Sequence, residues 1–161
     1  MDSPVGRLKL IAGGRGLAAV LWQNDRPERV PLAPLAERQE HPVLRAAEQQ
    51  LAEYFAGARR VFDLPLAPEG TPFQQKVWRA LLTIPFGETR SYGQIAAQIG
   101  SPSAVRAVGA ANGRNPLSII APCHRVIGAS GALTGFAGGL KTKAYLLNLE
   151  AAARPQTSLP L

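Results

Sequence analysis

The sequence predicts an α+β fold: a small N-terminal antiparallel sheet with one helix, then a mostly helical C-terminal part that contains a helix-turn-helix. Three observations predict it. Two apolar strands flank the turn Gly13-Gly14-Arg15-Gly16, a helical apolar stripe runs from Leu44 to Phe55, and two capping boxes open helices after residue 70.

Val5 to Ala12 reads as a first strand and Leu17 to Trp22 as a second, closed into a hairpin by the glycine turn. Residues 24–42 are rich in proline and charge and read as a loop. Leu44, Ala47, Leu51 and Phe55 share one helical face, with Gly57 as the stop. Phe62, Leu64 and Leu66 alternate as a short third strand, which Pro65 confines to an edge. Domain limits follow: an N-terminal domain over 1–66, a linker over 67–70, a C-terminal domain over 71–152 and a flexible tail over 153–161.

In the second part, Thr71-Pro72-Phe73-Gln74 is a capping box with proline at the first helical position, and Phe73, Val77, Trp78 and Leu81 form the buried face. Ser91-Tyr92-Gly93-Gln94 is a second capping box, and Gly100 closes its helix. Ser101-Pro102 starts another helix that runs to about Ala111. Two short helices about three residues apart match a helix-turn-helix. The second of them carries Ala104, Ala107, Gly109 and Ala110 around a single Arg106. Long polar side chains for reading major-groove base edges are missing. Small residues suit close backbone approach, as in a minor-groove contact, and equally a tightly packed core helix.

The chain has 161 residues and a formal net charge of +7. Residues 1–70 hold nine Lys/Arg and nine Asp/Glu, whereas residues 71–161 hold nine Lys/Arg and only two acids, Glu88 and Glu150. A neutral part joined to a cationic part fits nucleic-acid binding, with a solubilising surface as the alternative. No apolar run is long enough for a membrane helix, and no secretory signal pattern opens the chain, so a cytoplasmic location is expected. One cysteine excludes an internal disulfide. With His41 and His124 as the only histidines, a Cys/His zinc site is not expected, and no metal or other cofactor is implied.

Cys123 lies between Pro122 and His124 after the apolar run Leu117 to Ala121, which reads as a strand. A lone cysteine is commonly a small core residue, and burial would raise its pKa. As a nucleophile it would need a base or a positive potential, for which His124 and Arg125 are the local candidates. On an extended chain consecutive side chains point apart, so a water would have to bridge Cys123 to His124. His124 would need a carboxylate to orient it. Glu150 is the better candidate, because Glu88 sits in a glycine-containing turn.

The run Pro122-Cys123-His124-Arg125-Val126 strongly resembles the active-site signature of the O6-alkylguanine-DNA alkyltransferases. The resemblance extends through Phe73-Gln74-Gln75-Lys76-Val77-Trp78, Ile84-Pro85-Phe86-Gly87-Glu88-Thr89, Ser91-Tyr92, Arg106-Ala107-Val108-Gly109, Asn115-Pro116, Gly138-Gly139-Leu140 and Glu150. It covers residues 71–150, and the N-terminal third is similar only in size and general pattern.

The resemblance implies a one-turnover repair reaction on double-stranded DNA, in which an O6-alkylated guanine is flipped out and its alkyl carbon passes to a cysteine thiolate. It implies Cys123 as acceptor, His124 as the group that takes the thiol proton through water, Glu150 as its partner, and Asn115 as the brace of the active-site turn. Tyr92 would contact the flipped nucleotide, and Arg106 would enter the stack in its place. The helix from Ala104 to Ala110 would lie in the minor groove, and Val126, Phe136, Ala137 and Gly138 would line the substrate pocket. A monomer is expected, with cooperative binding along DNA left open. Many relatives carry Tyr and Ser where this chain has Phe136 and Ala137. Ala137 cannot donate a hydrogen bond to the departing guanine oxygen, a loss of about 1–3 kcal/mol unless backbone N–H groups of the loop replace it. The zinc site known in some relatives has no ligands here.

Three other readings compete. A cysteine hydrolase would need a histidine side chain within reach of Cys123. A non-repairing sensor of alkylated DNA would lack the nucleophile that this chain keeps. A purely architectural helix-turn-helix protein leaves the cysteine signature unexplained.

Overall fold

The computed structural model describes residues 1–32 and 41–153. Strands β1 (Lys9–Gly13) and β2 (Gly16–Leu21) form the expected antiparallel hairpin, with a register irregularity at Ile11/Ala12, but β1 starts at Lys9 and not at Val5, because residues 4–6 turn with Gly6 at φ 101°. Gly16 is required at the turn. Its φ is +139°, and a Cβ there would lie 2.4 Å from the Pro65 carbonyl oxygen. Helix α1 (Pro42–Phe55) packs on the hairpin, and its N-cap is His41, whose Nδ1 accepts from the Val43 N–H at 3.2 Å. One of the two histidines is thus used as a helix cap. Of the loop expected over 24–42, residues 24–32 are irregular and 33–40 lie outside the described residues; of the tail expected over 153–161, residues 154–161 do so.

The third strand does not form. Only Leu66 pairs, in a single parallel bridge with Leu17. Pro65 supplies a carbonyl to the Leu17 N–H at 2.8 Å but has no N–H to extend a ladder. Phe62 and Leu64 keep the value of their alternation by packing half-buried on the core.

Both capping boxes are present. Thr71 and Gln74 cap α2 (Pro72–Leu81) reciprocally at 3.0 and 3.1 Å, and Ser91 and Gln94 do the same for α3 (Tyr92–Gln98) at 2.8 and 3.1 Å. Helix α4 (Val105–Gly113) begins later than the sequence suggests, and no side chain caps it. The reason is local. Gly100 turns left-handed at φ 80° and the Ser101 N–H returns to the Ala96 carbonyl at 2.9 Å, so Ser101 closes α3 instead of opening α4. The connection between the two helices is correspondingly longer than three residues. Helix α5 (Leu140–Ala153) is the last element among the described residues.

Two apolar clusters hold the fold. In one, Val77, Trp78, Leu81, Ile84, Ile95, Ala96 and Val108 join α2, α3 and α4, together with Cys123 and Val126. In the other, Leu8, Leu17, Val20, Leu51 and Tyr54 pack directly against Leu117, Ile119, Ile120, Ala121 and Leu146. The N-terminal hairpin and α1 therefore form one wall of the core under the segment that leads to Cys123.

Candidate active site

The segment before Cys123 is a turn and not the expected strand. Its one ladder contact is the bridge between Leu117 and Val20, and Ile119 adopts φ 73°. A left-handed, β-branched residue is strained, at a cost on the order of 1–3 kcal/mol, and it persists only where its surroundings enforce it. Here they do. Asn115, fully buried, accepts from the Leu117 N–H at 2.9 Å and donates from Nδ2 to the Ala121 carbonyl at 2.8 Å, closing the loop across its own side chain. Ile119 itself is buried in the core. Arg29 ties the same corner to the N-terminal segment. It donates to the carbonyls of Asn115 (2.9 Å) and Gly113 (3.2 Å) while paired with Asp25.

Cys123 to Arg125 form a single 3-10 turn, so the extended geometry expected there is replaced by a tight one. The turn leads into β4 (Val126–Ile127), which pairs in parallel with β3 (Arg90–Ser91). That two-residue pairing brings the start of α3, and with it Tyr92, beside the cysteine turn. Tyr92 and Phe136 both pack against the cluster that contains Cys123 and Val126. The Tyr92 hydroxyl is 2.5 Å from Thr134 Oγ1.

Cys123 is 5 % exposed. Burial pushes its thiol up, and the Asn115 side chain and the charges of Arg29 and Lys143 pull back only in part. The resting group is the thiol. His124 is fully buried and its Nε2 lies 2.7 Å from Glu150 Oε2. Burial holds the imidazole below its ordinary value and Glu150 pulls the other way, so the neutral ring faces a carboxylate. Nε2 must then carry the proton, which leaves Nδ1 as the acceptor. Nδ1 is buried and has no hydrogen-bond partner among the described residues.

Glu150 collects more donors than the sequence suggested. Oε1 accepts from Arg125 Nε (2.8 Å) and the Gly87 N–H (3.2 Å), and Oε2 accepts from His124, from Arg125 Nη2 (3.0 Å) and from the Tyr54 hydroxyl (2.7 Å). Burial alone would raise the carboxyl, but the hydrogen bonds and charges of His124 and Arg125 outweigh it and keep Glu150 ionised well below the usual carboxylate range. Arg125 is therefore committed to Glu150 and to the Ile84 carbonyl at 2.7 Å, and not to the thiol. Cationic potential near Cys123 comes instead from Lys143 and Arg29. Lys143 is fully buried. It donates to the Val126 carbonyl at 2.6 Å, and its ammonium stands 5.8 Å from the Phe136 ring centroid.

The remaining candidates lie on two surfaces. On α4 and its cap, Arg106, Ala107 and Ala110 are exposed, Ala104 and Gly109 are half-buried, and Gly109 faces the Tyr92 ring. Arg106 makes no hydrogen bond or ion pair among the described residues. On the loop before α5, Phe136 packs edge-on against Trp22 at 5.5 Å, Ala137 is exposed, and Gly138 leaves room that a Cβ would not, since that atom would lie 2.8 Å from the Trp22 ring.

Sequence reasoning missed Tyr54, Lys143 and Arg29. A signal existed for one of them. Lys143, Leu146 and Glu150 fall on one face of α5, so a lysine and a glutamate share the stripe of a buried leucine. No comparable pattern marks Tyr54 or Arg29, whose partners are about 90 residues away.

Sequence models of the 6-O-methylguanine DNA methyltransferase family match both parts of the chain, the ribonuclease-like domain over residues 1–68 and the DNA binding domain over residues 72–152. The chain belongs to this family. The constitutive methylated-DNA–protein-cysteine methyltransferase of Bacillus subtilis is 64% identical over 151 residues, which is 92% of each chain. The Mycobacterium tuberculosis enzyme of the same name is 52% identical over 157 residues, 96% of this chain and 92% of its own. The crystal structure of Mycobacterium tuberculosis OGT in complex with DNA superposes with a TM-score of 0.83 at 49% identity, covering 97% of this chain and 93% of that one.

Proposed function

We propose that this protein repairs DNA by transferring a methyl group directly from the O6 position of guanine to Sγ of Cys123, once per molecule. The observation that carries the reading is the polarised histidine beside the lone thiol. Nε2 is held by Glu150, and Nδ1 is buried and free to accept. His124 takes the thiol proton through a bridging water, and the thiolate attacks the methyl carbon. The C–S bond forms as the C–O bond breaks, and the electron pair of that bond stays on the guanine oxygen. Tyr92 acts as the donor that protonates or stabilises the departing base. The thioether has no ready reverse path, so the protein is consumed.

The substrate is duplex DNA bound through the minor groove by the small-residue face of α4, with Arg106 inserted where the guanine has flipped out. An exposed arginine among alanines, without an ion pair among the described residues, suits that wedge. Val126, Phe136, Ala137 and Gly138 line the base pocket, with loop N–H groups in place of a side-chain hydroxyl at Ala137. The chain acts as a cytoplasmic monomer, with residues 1–66 bracing the catalytic part over 71–152 across the 67–70 linker.

Intact mass after incubation with a duplex containing O6-methylguanine tests this reading. The expected result is a gain of one methyl on Cys123, and none for Cys123→Ala. An unmodified parent protein would overturn it, and turnover of an activated ester beyond one equivalent would favour a hydrolase.

A further inference from the structure

Tyr54 is fully buried on α1, 96 residues from Glu150, yet its hydroxyl donates to Glu150 Oε2, the same oxygen that holds His124. Its ring is fixed by Phe55 at 5.4 Å, Phe62 at 5.6 Å and Phe86 at 6.2 Å between centroids. A buried tyrosine needs some acceptor, so a purely structural hydrogen bond is the simplest alternative. The choice of acceptor argues for more. Arg125 already spans both oxygens of Glu150, and Gly87 adds a donor to Oε1. The carboxylate is therefore anchored without Tyr54. What Tyr54 adds is a second neutral donor competing with the imidazole for one oxygen.

We propose that Tyr54 is a positioning residue for alkyl transfer, which acts on His124 through Glu150 and makes the N-terminal helix part of the reactive site. The inference rests on the roles of Cys123 and His124 given above. A donor on Oε2 draws charge away from the His124 contact, so the imidazole is less basic with Tyr54 than without it. Burial and the Glu150 charge hold the phenol far above its ordinary range, so it remains a donor wherever the protein is folded. The other ionisable groups around the pair are Cys123 and Arg125 on the same turn, Lys143 and Tyr145 on α5, and Arg29 from the N-terminal segment. Each is unchanged in a Tyr54→Phe protein, which also keeps the ring and its packing.

The test is the single-turnover rate of methyl transfer from duplex DNA as a function of pH, for parent and Tyr54→Phe. Because His124 must be neutral to accept the proton, the rate falls on the acid side. In Tyr54→Phe that limb moves up by about half to one pH unit, a threefold to tenfold lower rate at a fixed pH below the midpoint, with a smaller change at the alkaline end. A second readout needs no DNA. With only two histidines in the chain, the His124 Nε2–H proton is resolved in a spectrum of selectively labelled protein, and it moves downfield in Tyr54→Phe as its bond to Glu150 strengthens. An unmoved acid limb together with an unmoved Nε2–H resonance overturns the inference, whatever the change in melting temperature. Failure of the parent protein to methylate Cys123 overturns instead the reading on which it rests.

Discussion

Replacing Glu150 by glutamine changes one oxygen for an NH2 group and removes one charge. The carboxylate accepts from Arg125 on both oxygens, with His124 and Tyr54 also on Oε2 and the Gly87 N–H on Oε1, at 2.7 to 3.2 Å. Glutamine therefore faces donors in either amide orientation, and Arg125 is left as a buried cation without its counter-charge. Breaking one side of a buried ion pair costs about 3–5 kcal/mol. For a chain of this size each kcal/mol lowers the melting temperature by roughly 2–4 °C, so a fall of about 6–20 °C is expected. The chemistry suffers separately. With an NH2 group at Oε2, His124 relieves the clash by moving its proton to Nδ1, which removes the acceptor. An Asp-to-Asn change behind a catalytic histidine costs about 10⁴ in a serine-protease triad through the wrong tautomer, so a loss of about 10²–10⁴ is expected here. Thermal melts by circular dichroism and single-turnover methyl transfer, assayed well below the variant's own melting temperature, check both numbers. A melting temperature within about 2 °C of the parent and a rate within about threefold would refute the reasoning on both counts.

Three further outcomes are expected. Arg106→Ala lowers the rate on duplex DNA while sparing reaction with free O6-methylguanine, because the wedge matters only when a base must leave the stack; equal losses on both substrates contradict that role. S-methylation of Cys123 adds a methyl to a site that is 5 % exposed and ringed by Asn115, Val126 and the Asn112 amide. Overpacking of this kind costs about 1–3 kcal/mol, so the methylated protein melts lower, and an unchanged melt argues against a tight site. Folding stability also falls as pH drops below the ordinary histidine value of 6.5, because there the unfolded chain binds a proton that buried His124 refuses until a lower pH. Glu150 adds a second loss as pH falls below its ordinary 4.5, since its folded value is depressed and its unfolded value is not. Melting temperatures between pH 4 and 7.5 that show no such slope, or a His124→Asn protein with the same slope as the parent, contradict the assignment.

Local chemistry determined much of this molecule. Thr71, Gln74, Ser91 and Gln94 set two helix starts through side chains only three residues apart, and such contacts need no distant partner. The hairpin at Gly13–Gly16, the stripe on α1 and the uneven division of charge at residue 70 were legible for the same reason. So was the pairing of His124 with Glu150, because so few acids follow residue 70 that the choice was narrow. Where local signals competed, short-range hydrogen bonds decided which one prevailed. Pro65 kept Leu66 to one bridge, closure of α3 took Ser101 away from α4, and Asn115 folded the apolar run Leu117 to Ala121 into a strained turn. Only the assembled core brought Tyr54 to Glu150, and Arg29 and Lys143 near Cys123. Their contacts are set by how α1, the hairpin and α5 pack around the Cys123–Arg125 turn. Hydrophobic patterning says that these elements bury a face but not which polar group arrives opposite which. A lone cysteine in a family signature thus singled out the candidate acceptor, and the fold decided which charges surround it.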